Sequence, residues 1–467
     1  MALRQARAPY LHGYQNKDAF IMKKKLPLKA IGKTSSGIIV ANKFVKYRQQ
    51  KTFDIPDTMQ AVTLSGVGFE NISCREVPVP KVGPNQLLCR VDAAGVCTSI
   101  LKVISQGSAH TFLNGWDLRQ YPIILGDEGS LTVAKVGAKL AKKYKPGQRF
   151  GVQPAVDQAP INHRDRYRNN AAGMNKVAVG YTLNGNLAEY ILIQEEVLEG
   201  GCLLPLPDDE LPYFAVSMAE PISCIYSAQE RQIHILKKKP FEPRVPKLGL
   251  LTGGTTVIIG AGPMGLMHAE MALRFRPRNL LICDKIPERL QRAKKTLGDK
   301  AQRAGVKLIA VEADALKDTL LQVTNGALAD DIILAVSIQA VQQQALELLG
   351  KGGVANLFGG LPQGRHLLQI SAIAVHYDEI KVVGSSGGAP SDLAATLRAI
   401  AQHDIDPGNY IYGVGSLKHA PEVLRGINEN KIEGKVILYP HTRVENLTLV
   451  DYWNKSREEK FLNENLR

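Results

Sequence analysis

The sequence is poor in the features that mark several protein classes. Its six cysteines (Cys74, Cys89, Cys97, Cys202, Cys224 and Cys283) are scattered, with no C-x-x-C pair. A disulfide-stapled secreted domain is therefore not expected, and the thiols read as reduced groups of an intracellular, cytoplasmic protein. No apolar run approaches the ~20 residues that cross a bilayer, so no membrane partner is expected. There is no secretory signal, internal repeat or low-complexity tract. Acid is scarce up to Asp57: twelve lysines and arginines face only Asp18, Asp54 and Asp57, within a net charge of +14. That basic stretch lacks interleaved aromatics and any nucleic-acid motif, so no nucleic-acid partner is expected either. Residues 1–58 read as a basic N-terminal extension, with an organelle transit sequence as the other reading. Within it, Ile38-Ile39-Val40 has the makings of a short strand.

What remains is the text of a soluble globular chain, 45% hydrophobic and 22% charged, long enough for two domains. Its firmest stretch runs from Thr255 to Asp284. The apolar run Val257-Ile258-Ile259 breaks at Gly260-Ala261-Gly262-Pro263-Met264-Gly265 and continues as a helix with Leu266, Ala269, Met271 and Ala272 at helical spacing. A second run, Leu280-Leu281-Ile282-Cys283, ends on Asp284. This is G-x-G-x-x-G between a strand and a helix, followed by an acid at the next strand tip. Gly260 permits the tight turn, Gly262 lets backbone approach a pyrophosphate, and Gly265 lets helix and strand pack closely. The helix N-terminus offers free N–H groups to phosphate. Asp284 stands to accept hydrogen bonds from ribose hydroxyls, which favours NAD(H) over NADP(H).

Upstream, from Met59, the text is β-rich: Met59–Leu64, Ile72–Val77, Gln86–Val91 and Leu131–Val136, punctuated by prolines and glycines. Downstream of Asp284, strands are expected at Lys307–Val311, Asp331–Val336, Gly353–Phe358 and Ile380–Gly384, which with the first two make a doubly wound parallel sheet of six. A helix over Ser391–Gln402 then leads to Gly434-Lys435-Val436-Ile437-Leu438. The Lys/Pro-rich segment between Gln229 and Gly253 reads as a surface loop. So does Asn162–Arg168, where His163, Arg164, Arg166 and Arg168 are either solvated or a phosphate contact.

Four segments carry a resemblance to the medium-chain dehydrogenase/reductase family, of the zinc-type alcohol and polyol dehydrogenases. Gly95-Val96-Cys97-Thr98-Ser99 resembles G-x-C-x-[ST], and Pro122–Glu128 resembles P-x-x-x-G-H-E with Asp127 in the histidine position. Lys145–Arg149 resembles K-x-G-[DQ]-[RK], and Glu220-Pro221-Ile222-Ser223 resembles E-P-[LI]-[SA]. The subgroup it most resembles is that of the L-sorbose 1-phosphate reductases. The additional likeness lies in Cys97…Lys102, Gly262–Leu266, Val375-His376-Tyr377 and Gly384–Gly388. The resemblance spans roughly Met59 to Tyr439.

The resemblance implies an α/β architecture in which a Rossmann doubly wound parallel sheet is inserted into a β-rich, GroES-like catalytic domain. The boundaries expected are 59–225 for the catalytic domain, 226–388 for the nucleotide domain and 389–467 for the return and tail. It implies one catalytic zinc on Cys97, Asp127 and Glu128, with Glu220 at or beside it. No structural zinc is implied, since the four close cysteines are missing. Ser99, Lys102 and Glu128 are the catalytic candidates: Ser99 to take the alcohol proton, Lys102 as a further relay or substrate-phosphate group. Gly260, Gly262, Pro263, Met264, Gly265 and Asp284 would hold the dinucleotide. Cys224 reads as core. Family members carry an acid after the Ser/Thr to orient the histidine ligand; here that position is Ile100, and a carboxylate ligand has no N–H for it to hold.

The function implied is metal-assisted NAD(P)(H)-dependent interconversion of alcohol and carbonyl on a polyol, sugar or sugar phosphate. A zinc-independent quinone or enoyl reductase, or a non-catalytic dinucleotide sensor, is the alternative if Asp127 abolishes metal binding. Relatives pair through edge strands of their nucleotide sheets, so a homodimer or homotetramer is expected.

Overall fold

The computed structural model describes residues 42–157, 162–237, 239–361 and 364–467. The strand expected over residues 38–40 and the basic residues from Arg4 to Lys33 lie outside them.

The nucleotide sheet has six parallel strands. In spatial order they are Lys307–Glu312, Asn279–Asp284, Thr255–Ile259, Ala329–Leu334, Leu349–Asn356 and Lys381–Val383. Numbered along the chain this is 3-2-1-4-5-6, and the order reverses beside Thr255–Ile259. Alternation decides the faces: Ile258, Leu280, Ile282 and Ile333 join one core cluster, while Val257, Ile259, Leu281, Cys283, Ile332 and Leu334 join another on the opposite face. The fourth strand begins and ends two residues before its expected span. Ala335 N–H closes on Ile259 O at 2.9 Å and Gly359 N–H on Leu334 O at 2.7 Å, which bends the chain over Gly260 before Val336.

The segment expected to be a surface loop instead contains a hairpin, Ile233–Leu236 paired antiparallel with Val245–Leu248. Its β-branched residues suit a strand. Its base is anchored inward, with His234 Nε2 2.9 Å from Asp331 Oδ1 and Gln232 donating to Val354 O.

The catalytic sheet is built on Leu87–Gly95, which pairs antiparallel with Glu128–Val136 so that Gly95 faces Glu128. The returning strand Lys435–Leu438 adds to its other side through Ile437 and Leu438, opposite Gly95 and Ala94. Three segments far apart in sequence thus end at one point. The helix Tyr213–Glu230 is buried along most of its length and packs on both domains, touching the catalytic strands and the helix Pro263–Ala272.

Residues just before the catalytic strands also join the body. The helix Lys43–Arg48 is capped by Asn42, whose side chain accepts from Val45 N–H at 3.1 Å. Phe44 is buried at an edge-on contact with Tyr213. Tyr47 lies under the Arg90 guanidinium at 3.4 Å, and its carbonyl accepts from Arg90 Nη1. Arg90 is itself buried and paired with Asp92 at 2.8 Å.

Candidate active site

The glycine turn closes tightly at the switch point. Gly260 has φ +105°, and a side chain on Gly265 would collide with the Gly260 carbonyl oxygen. Gly262, which caps the helix Pro263–Ala272, has open space where a side chain would project. Pro263 opens that helix without losing a needed donor. Asp284 ends its strand nearly buried. Its Oδ2 accepts from Ala261 N–H at 2.7 Å and its Oδ1 from Ile286 N–H at 3.0 Å. The acid therefore braces the turn, and Arg289 stands 3.7 Å from it.

Where the catalytic strands converge, Cys97, Asp127 and Glu128 each offer an atom within 4.8 Å of the others. Asp127 and Glu128 are buried and Cys97 half-buried. Glu128 lies over Gly95, where any side chain would strike its Oε2. Lys435 Nζ pairs with Glu128 Oε1 and lies 3.5 Å from Val96 O. Ser99 Oγ donates to Asp127 Oδ2 at 2.7 Å. The hydroxyl thus holds the carboxylate, and Ile100, in the place of the family's orienting acid, is packed into the core instead.

The electrostatics are those of a crowded acidic site. Burial pushes the Cys97 thiol up, and the charges of Asp127 and Glu128 add to it. Burial likewise raises Asp127, against the pull of Ser99 and Lys435, and raises Glu128, against Lys435. Burial works against the Lys435 charge, but Glu128 and Cys97 outweigh it and hold the ammonium above its ordinary range. Asp127 Oδ1 and Glu128 Oε2 are buried with no hydrogen-bond partner among the described residues. Unpaired buried carboxylate oxygens beside a thiol are costly alone and are acceptable donors for a zinc-sized dication, so these residues fit such an ion.

Glu220 is outside that trio. It is buried on the helix Tyr213–Glu230, its pKa raised by burial and by Asp127 and Glu128. Cys224, one turn on, is half-buried rather than deep core and directs its thiol at Glu220 Oε1, 3.5 Å away. Ser223 Oγ sits between Gln153 and the Glu220 carbonyl, and Gln153 donates to Gly388 O, which docks the Gly384–Gly388 loop beside this helix.

Lys102 follows Ser99 on the helix Ile100–Gln106 and reaches toward the nucleotide domain. Its Nζ stands 3.1 Å from where a β-carbon on Gly360 would lie. His110 packs on Tyr181 with ring centroids 5.3 Å apart. In the loop expected to be solvated, Arg166 lies over Tyr121 at 3.9 Å and over Trp116 at 5.4 Å. A cavity of about 910 Å³ between Phe44–Lys51, Lys145–Phe150 and the last helix is lined by none of the cluster residues.

Lys435, Tyr181 and His110 were not singled out from sequence. Only Lys435 carried a signal: a lysine that opens a strand running into Val436-Ile437-Leu438 is seldom buried without a partner.

Two family models match the chain: alcohol dehydrogenase GroES-like domain over residues 83–208 and zinc-binding dehydrogenase over 263–402. A mannitol-1-phosphate 5-dehydrogenase of Aliivibrio fischeri is 29% identical, over 85% of this chain and 90% of that protein. An L-sorbose 1-phosphate reductase of Klebsiella pneumoniae is 28% identical, over 78% and 85%. A solved zinc-binding dehydrogenase from Sinorhizobium meliloti, bound to NADP, shares the fold with TM-score 0.63 at 22% identity, over 82% of this chain and all of that one.

Proposed function

The chain belongs to the zinc-type medium-chain dehydrogenase/reductase superfamily, and from that premise we propose metal-assisted, NAD(H)-dependent interconversion of alcohol and carbonyl on a polyol, sugar or sugar phosphate. The chain is an NAD(P)-dependent alcohol or polyol dehydrogenase, and its relatives bear named activities of that kind. The observation that carries the metal-assisted reading is the Cys97/Asp127/Glu128 cluster with its two unpartnered buried oxygens.

When bound, zinc would supply a Lewis acid that lowers the alcohol pKa, and the nicotinamide would supply the hydride acceptor. Cys97, Asp127 and Glu128 would hold the metal, with Glu220 beside it. Lys435 takes one Glu128 oxygen, leaving the other free for coordination, and lowers the negative charge of the donor set. Ser99 spends its proton on Asp127, which orients that carboxylate, and keeps lone pairs to accept the alcohol proton. The dinucleotide would lie across Gly260–Gly265, with Asp284 at the adenosine ribose; its carboxylate favours NAD(H), since a 2′-phosphate would meet like charge.

We assign the domains as 59–225, 226–388 and 389–467. A homodimer is supported by the nucleotide sheet ending, among the described residues, on the strand Lys381–Val383, and by Leu367, Ile373 and Tyr377 in the segment before it, which are 77%, 70% and 68% exposed.

Metal analysis of the purified protein tests the reading, paired with Cys97→Ala. About one zinc per chain is expected, lost in the variant. No metal in either protein would remove the metal-assisted mechanism and favour zinc-free reduction or a binding role.

A further inference from the structure

The cavity of about 910 Å³ beside the helices Lys43–Arg48 and Lys455–Asn465 gathers positive charge from segments far apart in the chain. The turn Lys145-Pro146-Gly147-Gln148-Arg149 forms one wall. Gly147 takes φ +88° and Gln148 Oε1 accepts from Lys145 N–H at 2.8 Å, so both cationic ends of the turn line the cavity. Arg48 meets Arg149 there. Nη2 of Arg48 and Nη1 of Arg149 both donate to the Asp209 carbonyl, and Arg149 Nη1 donates to Leu211 O as well, at 2.9 Å. The two guanidiniums share the Tyr213 ring, 5.7 and 4.5 Å from its centroid. Lys51, Lys145 and Lys460 add exposed ammonium groups with no partner among the described residues.

This charge is not matched from within. Arg149 is 7% exposed; its Nε and Nη2, and Nη1 of Arg48, are buried without an acceptor among the described residues. Burial holds Arg149 below its ordinary range, and the Arg48 charge acts in the same direction. Of the three acids lining the cavity, Glu210 is taken by Lys455 and stands 3.7 Å from Arg48, while the carboxylates of Asp209 and Glu459 pair with none of the five cations. A buried guanidinium lacking an acceptor is costly, and its planar fork of donors fits phosphate or carboxylate oxygens. We propose that this cavity binds a small organic oxyanion, phosphate or polycarboxylate in chemistry, anchored by Arg48 and Arg149 with Lys51, Lys145 and Lys460 around it. The volume is that of a small-molecule site rather than of a single ion. None of Cys97, Asp127, Glu128 and Glu220 lines it, so this ligand is not the substrate, and the inference is independent of the polyol reading. The Asp209 and Leu211 carbonyls lead into the helix Tyr213–Glu230, so the bound anion steadies the start of the helix that carries Glu220.

Calorimetric titration and thermal melting of the full chain test this, with inorganic phosphate, pyrophosphate and tricarballylate as probes and sodium chloride at equal ionic strength as the control. Saturating NADH is present throughout, to fill the glycine turn at Gly260–Gly265. The expected result is saturable binding of about one anion per chain, with a rise in melting temperature. Affinity should fall roughly 10- to 100-fold in Arg48→Gln and several-fold in Lys460→Glu. Lys317→Glu, the same charge reversal on an exposed helix of the nucleotide domain, should leave it unchanged. Lys460 is exposed, so its variant keeps the fold and decides the matter even where Arg48→Gln does not. Tighter binding of pyrophosphate supports a phosphoryl ligand, and tighter binding of tricarballylate supports a polycarboxylate. Binding of no probe beyond the chloride control overturns the site. Equal affinity in the wild type, Arg48→Gln and Lys460→Glu overturns it too, by placing the anion elsewhere on the molecule.

Discussion

Lys435 shows what a single residue contributes that no motif announces. It is buried on the closing strand and its ammonium meets Glu128 Oε1. Breaking a buried pair from one side costs far more than the pair itself contributes, because the partner keeps its desolvated charge. Lys435→Met should therefore lower the stability of the metal-free protein by roughly 3–5 kcal/mol. Urea denaturation after chelation measures this, and an unchanged midpoint would mean that Glu128 is protonated in the native state. Asp127 is legible in the sequence as a departure from histidine, but its consequence is not. Only the structure reveals that Ser99, the neighbour of the lost acid position, holds the carboxylate at 2.7 Å.

Among the elements, the helix Tyr213–Glu230 depends on a residue 228 positions beyond its end. Glu458, on the last helix Lys455–Asn465, accepts from the N–H groups of Tyr213 at 2.8 Å and Phe214 at 2.7 Å, and from Tyr439 Oη at 2.9 Å. A carboxylate at that helix N-terminus satisfies donors the helix cannot. Burial nevertheless pushes its carboxyl from 4.5 up to about 7, against those hydrogen bonds. The native state thus holds the proton more tightly than the unfolded chain. The group's stabilising contribution is full below about pH 4 and is lost as pH rises to about 7, a loss of roughly 3 kcal/mol. Glu458→Gln should flatten that dependence. Denaturation at pH 5 and pH 8 reads it out, and a wild-type slope in the variant would refute the assignment. The short helix Lys43–Arg48 is a related case. Within the stretch read as extension, Phe44 and Tyr47 pack on Tyr213 and Arg90 because both rings find a buried partner there.

For the whole molecule, Lys381–Val383 is the end strand of its sheet among the described residues, and Ile373 and Tyr377 in the segment before it are exposed. A two-fold pairing of that edge would extend the six-stranded sheet into the partner's. Sedimentation should give a dimer, and Val382→Pro should dissociate it by removing an edge donor while leaving the strand's inner pairing to Leu349–Asn356 in place. A monomeric wild type at micromolar concentration would reject this interface.

The sequence by itself determined the nucleotide fold, because strand–turn–helix periodicity and glycine spacing are local properties. The six strands fell within a few residues of their expected places, and the turn at Gly260–Gly265 needed no distant information. The motif segments around Cys97, Asp127 and Glu128 were legible for the same reason. The tertiary structure alone decided their company. Lys435 comes from a strand more than 300 residues away, Tyr181 and His110 from loops, and the hairpin at Ile233–Leu248 depends on His234 finding Asp331. A buried charge is stable only beside its counter-charge, and which counter-charge arrives is fixed by how strands and helices return to one point, not by the spacing of residues along the chain.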